Sequence, residues 1–199
     1  GKYVYATNHE GEEEPEEHDE HAGHQPYLRI IDAQTHEIVR SVPMDEMAAH
    51  VVPRRDGNRV YVSLEGSNRV VDVDVETGSI VNTFYVGNGP HGIVLSNDET
   101  QLYTPNMKDN DVSVVNVNTG RVETIDLFFE KHRCDTPVAM GITQDDRFAY
   151  ATCGKSFDVY KIDTATNKIV GRLALKKGNF PGPIQVPVHP TNGDLYVPD

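Results

Sequence analysis

Long apolar runs are missing from this sequence. No run of about 18 apolar residues occurs in the 199-residue chain, so no segment is expected to cross a membrane as a helix. No window keeps a helical period over three turns, which turns the expectation away from helical folds. Cysteine is scarce: only Cys134 and Cys153 occur. Two thiols fit a reduced compartment, and they fit equally an oxidising one with a single bridge. Cys-x-x-Cys-His is absent, so haem attached covalently through that motif is excluded. Gly-x-Ser-x-Gly is absent too. The glycines of GNGPHG (87–92) have no helix to open onto a phosphate. Carboxylates suited to glycoside cleavage cannot be picked from a solvated run of acids. Asp56, Asp98, Asp145 and Asp146 fall where turns are expected. Basic residues are outnumbered, 18 against 31 acids, for a formal net charge of −13. Such a surface repels nucleic acid and anionic lipid and attracts cations. Gly1 opens the chain without a basic, apolar leader, which leaves either no signal peptide or a removed one.

What the chain does have is an internal repeat. KYVYATN, NRVYVSL, TQLYTPN, RFAYATC and GDLYVPD align on tyrosines 5, 61, 103, 150 and 196. A second apolar run follows each of the first four and ends at Asp32, Asp74, Asn116 or Asp163. A Thr-bearing turn and a third run come next, and a further run precedes each tyrosine strand. Alternation and β-branched content predict strands. Asp or Asn followed by Thr-Gly predicts tight turns. The tyrosines recur every 42 to 47 residues, except for a first spacing of 56. Units of four short antiparallel strands at this period predict an all-β fold, a β-propeller, because one such sheet cannot cover both of its own faces. The 37% hydrophobic content suffices for one such domain spanning 1–199. About four blades are present, and the start and stop within a unit are expected of a segment of a seven- or eight-bladed ring.

KYVYATN, RVYVSL, FAYATC, GNGPHGIVLSNDETQLY and DVSVVNVNTGRVETI resemble the YVTN type of propeller repeat. The resemblance covers nearly the whole chain outside the insertion described next. It implies the propeller fold and an exported protein, periplasmic or extracellular, among relatives that bind metals or cofactors. It does not by itself specify a chemistry.

The long first spacing comes from HEGEEEPEEHDEHAGH, residues 9–24, which hold four histidines and eight acids. With strands a to d counted outward from the axis, this insertion joins b to c in the first unit. Connections b–c and d–a leave a propeller on one face. The d–a segments PMDEMAAH, YVGNGPH and FFEKHRCDTP add His50, His91, His132, Cys134, Met44 and Met47 to that face, while His36 and His189 map to the opposite one. His9, His18, His21 and His24, with the spacing HxxHxxH over the last three, are candidate metal ligands. Imidazole with carboxylate suits zinc, and imidazole also suits copper and nickel. Ordering a loop costs roughly 1–2 kcal/mol per residue, so the insertion is expected to act as a flexible collector. His91, His132 and Cys134 are the candidates for a tighter site on the scaffold. The competing reading of the run is a solvated polar loop. MxxMxxH at 44–50 favours copper(I) if the thioethers are free, or packing if they are not. Cys134 precedes strand a and Cys153 ends strand b of one unit, so a disulfide between them is geometrically allowed.

The expectation is therefore an exported metal-binding propeller, not an enzyme, that captures a divalent ion and holds or transfers it at one face. Zinc comes first, with copper or calcium as alternatives. The theme resembles periplasmic zinc-chaperone propellers, which implies a metal-transport protein as partner. Two other classes compete: a surface or filament-forming module that self-assembles, and a haem-binding oxidoreductase domain with His91 or His132 on the iron.

Overall fold

The structure, a computed structural model, describes residues 1–8, 25–45, 47–177, 182–189 and 191–197. No helix occurs among them. The first sheet holds β1 (Tyr3–Thr7), β2 (Tyr27–Asp32) and β3 (Ile38–Pro43) in that order. The second holds β4 (Ala48–Pro53), β5 (Arg59–Leu64), β6 (Arg69–Asp74) and β7 (Ile80–Tyr85). The third holds β8 (Val94–Leu95), β9 (Gln101–Asn106), β10 (Asp111–Asn116) and β11 (Val122–Asp126). A hairpin follows, β12 (Phe128–Phe129) with β13 (His132–Arg133). The fourth sheet holds β14 (Pro137–Ile142), β15 (Phe148–Cys153), β16 (Asp158–Asp163) and β17 (Lys168–Ala174). All pairings are antiparallel between sequence neighbours. A fifth unit begins with the bridge Val188–Leu195.

The turns after β2, β6, β10 and β16 show why these strands end where they do. Asp32, Asp74, Asn116 and Asp163 each accept, through a side-chain oxygen, the backbone N–H of the Thr three residues on. The next residue takes a left-handed conformation: His36, Gly78, Gly120 and Asn167. His36 thus fills a position that two other turns give to glycine, and it is a turn residue at the end remote from the insertion.

Sequence alternation is weaker than expected in the middle strands, for a physical reason. β5, β9 and β10 are buried on both faces. Their sheets are sandwiched, so both sets of side chains must be apolar or hydrogen-bonded. Each core cluster spans two sheets. Leu28, Ile30 and Val42 pack with Val60, Val62 and Val73. Tyr61, Val70 and Phe84 pack with Leu102 and Val115. Tyr103, Val112 and Ile125 pack with Ala149, Tyr160 and Ile162. The repeated tyrosine always leans on the sheet that follows: Tyr5 on the second, Tyr61 on the third, Tyr103 on the fourth and Tyr150 on the fifth unit. Burial pushes the Tyr103 hydroxyl up to about 12, and that hydroxyl donates to Gln101 Oε1 at 3.0 Å. Tyr196 has no following sheet among the described residues and is 54% exposed.

Carboxylates latch successive turns at the end remote from the insertion. Asp146 accepts from Asn97 N (2.7 Å), Asn97 Nδ2 (2.8 Å) and Asp98 N (2.9 Å) of the preceding unit. Glu99 does the same for Arg55 N and the Arg54 guanidinium. The strand expected at HGIVL shrinks to Val94–Leu95, where Gly92 turns its N–H to the Val138 carbonyl on β14 at 2.9 Å. The β12–β13 hairpin was not foreseen in the sequence, where those residues read as a loop.

Replacing Tyr103 by Ala is expected to cost about 3–5 kcal/mol in urea unfolding, the range for emptying an aromatic core position. Replacing Tyr196 by Ala should change stability by less than about 0.5 kcal/mol. Equal effects would contradict the inter-sheet role of the tyrosine.

Candidate functional site

One end of the sheets gathers the closing residues of the second strands and the opening residues of the first. The register pairs Ala48 with Leu64, Pro90 with Asn106 and Pro137 with Cys153. Both stems of the acidic insertion reach this end. Thr7 Oγ1 donates to the Ala49 carbonyl at 3.0 Å, and Gln25 Nε2 donates to the Met44 carbonyl. Asn8 Oδ1 accepts from Tyr27 N at 2.7 Å, tying one stem to the other. His9, His18, His21 and His24 lie outside the described residues.

Next to these stems stand two imidazoles. His50 on β4 and His91, just ahead of β8, have ring centres 4.8 Å apart with planes inclined at 59°. Their spacing is set from the backbone by one buried hydroxyl. Ser63 Oγ accepts from His50 N at 3.1 Å and donates to the His91 carbonyl at 2.6 Å. His91 N donates to the Pro105 carbonyl at 3.1 Å. On its far side, His91 Nδ1 lies 3.2 Å from the Val138 carbonyl on β14. A carbonyl only accepts, so Nδ1 is the donor, and in the neutral tautomer this contact selects the lone pair falls to Nε2. Gly92 makes this approach possible: a Cβ there would sit 2.6 Å from the Val138 oxygen. The Pro-His-Gly step therefore has a packing reason as well as a chemical one.

His50 is exposed to solvent on one side, yet the neighbouring atoms on its other side displace enough water to disfavour its cation. That burial, and second the neighbouring His91 imidazole, hold its pKa below the ordinary histidine value. That favours the uncharged ring, in which one nitrogen donates and the other can accept.

The other scaffold candidates are placed differently. Cys134 and Cys153 are joined in a disulfide with a Cα–Cα distance of 5.5 Å, and both are buried. A sulfur in a disulfide offers no thiolate, so the expectation of Cys134 as a ligand is corrected. His132 lies on the exposed hairpin, which rests on the outer strand β17, away from the paired rings. It shares their end of the fold but is not grouped with them. Met44 is 1% exposed and packs in the first core cluster, so it supplies no free thioether. Among the described residues no three His, Cys, Asp or Glu side chains are gathered for a metal ion. His50 was a marginal candidate in the sequence because it falls inside a strand. Ser63 was missed altogether. Its one signal is a small hydroxyl residue in the tyrosine strand, matched by Thr104, which donates to the Gly92 carbonyl at 2.8 Å, and Thr152, which accepts from Ala139 N at 3.2 Å.

The opposite end carries His36 and His189 in turns. A cleft of about 980 Å³ opens there, lined among others by Tyr3, Tyr5, Arg40, Arg54, Arg55 and Asp74. Its arginines are engaged: Arg54 with Glu99 at 3.3 Å, Arg55 with Asn97 Oδ1 at 3.2 Å and Arg40 with the Glu76 carbonyl. It holds no histidine.

Solved structures match this arrangement of sheets. The Cps50 (Swd1) β-propeller domain of Myceliophteria thermophila superposes with a TM-score of 0.72 over 87% of this chain and 58% of that one, at 14% identity. The fold is a β-propeller. Kuenenia stuttgartiensis hydrazine synthase matches with a TM-score of 0.63 and 22% identity over 73% of this chain and 40% of that one. The propeller described here thus spans between two fifths and three fifths of the solved chains it matches. At these identities the likeness concerns fold alone. No family model matches the sequence, and no curated protein sequence does.

The His50 ring is expected to titrate in NMR with a midpoint below about 6.5. Replacing His91 by Ala should raise that midpoint without restoring it fully, because burial is the larger cause and remains. An unchanged midpoint would remove His91 from its surroundings. Replacing both cysteines by Ala should cost about 2–4 kcal/mol in unfolding under non-reducing conditions, since the bridge closes a loop with a sequence separation of 19.

Proposed function

We propose that this chain is an exported metal-binding propeller. The histidine- and acid-rich segment 9–24 captures a divalent ion, zinc foremost, and the ion is held or passed on at the same end of the fold. Placement supports this reading. The stems of the segment are hydrogen-bonded to β4 and to Met44, beside His50 and His91. The chain's charge of −13, with eight of its acids in the segment, favours cations over anionic partners. A metal-transport protein that receives the ion is the partner such a role implies.

Zinc titration against a competing chelator tests it. The comparison is between the full chain and a variant with residues 9–24 replaced by a short Gly-Ser turn. Asn8 and Tyr27 are already hydrogen-bonded across the stem, so a short turn closes it. The full chain should take up more zinc per molecule and take it up faster. Equal stoichiometry and rate in the two proteins would overturn the capture role.

A further inference from the structure

We propose that His50 and His91 form a two-imidazole site for one divalent transition-metal ion, bound cis, with its remaining coordination positions open to exchangeable ligands. The inference deepens the metal reading above and is tested apart from it, because the pair belongs to the scaffold.

The first support is distance. Two imidazoles on one tetrahedral ion, with nitrogens about 2.0–2.1 Å from it, have ring centres about 5 Å apart. The observed separation is 4.8 Å. A linear arrangement at the same bond length would need more than about 6 Å. The pair therefore suits the bent coordination of a divalent ion.

The second support is the state of each ring. His91 is held by the contact metal-binding histidines usually have, with one nitrogen donated to a backbone carbonyl and the other left to ligate. The two nitrogens of an imidazole point in nearly opposite directions. With Nδ1 turned to Val138 on β14, Nε2 faces away from the fourth sheet. No described residue hydrogen-bonds to a ring nitrogen of His50. Each ring in its neutral form has one lone pair to offer, and an ion between them would give the two imidazoles a common partner.

The third support is rigidity. Ser63 is fully buried and joins the backbones of both histidines. Their spacing is set before any ion arrives, which lowers the ordering cost that a loop site would bear. Two ligands from the scaffold leave coordination positions for water or an incoming ligand. That is the arrangement of an exchange site, not of a closed structural one. Imidazole ligation admits zinc, copper and nickel.

Cu²⁺ and Zn²⁺ are the probes. In the variant with residues 9–24 replaced by a turn, Cu²⁺ should bind at one ion per chain, with an electron paramagnetic resonance spectrum showing two equatorial nitrogens. Zinc should compete for the same site. His50→Ala or His91→Ala in that background should remove one nitrogen and weaken binding at least about 100-fold, and Ser63→Ala should weaken it about tenfold. His36→Ala and His189→Ala should change nothing. If an alanine variant does not fold, His50→Gln and His91→Gln keep the bulk and answer the same question. Absence of Cu²⁺ binding in the turn-replaced parent, or equal binding after both histidines are changed, overturns the site. Equal zinc uptake by the full and turn-replaced chains would overturn the capture role of the segment and leave this pair standing.

Discussion

Each blade has two apolar faces and cannot bury either one alone. That constraint organises everything else in the molecule. The clusters that hold the fold together run between sheets, with Leu28 against Val62, Tyr61 against Leu102, and Tyr103 against Ala149. Fully burying one such side chain contributes about 1.5–3 kcal/mol. Neighbouring blades must therefore stack at a fixed angle and height. Once they do, residues 40 or more apart in sequence face each other at the same level, and His50 meets His91.

Polar contacts refine the stacking without driving it. At the end remote from the insertion, Asp146 and Glu99 satisfy backbone amides of the preceding turn. Those amides would otherwise depend on solvent or go unpaired, at a cost of about 1–3 kcal/mol each if buried. At the histidine-bearing end, buried hydroxyls do the matching work: Ser63, Thr104 and Thr152 each bond to an inner strand. The disulfide Cys134–Cys153 pins the connection that carries the β12–β13 hairpin to the end of β15. The two ends of the propeller thus differ chemically. One is a row of turns latched by carboxylates, and the other carries imidazoles, hydroxyls and a bridged hairpin.

Much of the fold was legible because repetition multiplies weak signals. A single YVYAT is ambiguous, whereas five tyrosine segments that recur along the chain are not. The Asp-x-x-Thr turns were legible too, since their chemistry is local. The site was less legible. His91 stood out in its Pro-His-Gly step, but the ring that stands beside it is His50, and neither His132 nor Cys134 is grouped with it. Which histidines meet depends on strand register and on the lean of the hairpin, and neither leaves a mark in composition. Ser63 shares its one signal, a small hydroxyl residue in the tyrosine strand, with Thr104 and Thr152, and its role exists only because two blades meet at its hydroxyl.

The sequence by itself determined the elements: strand positions, the turn chemistry, the repeat and the side of the fold on which the long insertion is rooted. These follow from short-range preferences and from period. Only the tertiary structure decided which imidazoles are neighbours, which cysteine chemistry prevails and which methionine is core. Those outcomes rest on distances of a few ångströms between chains of atoms far apart in sequence, and such distances are set by the packing of one blade on the next.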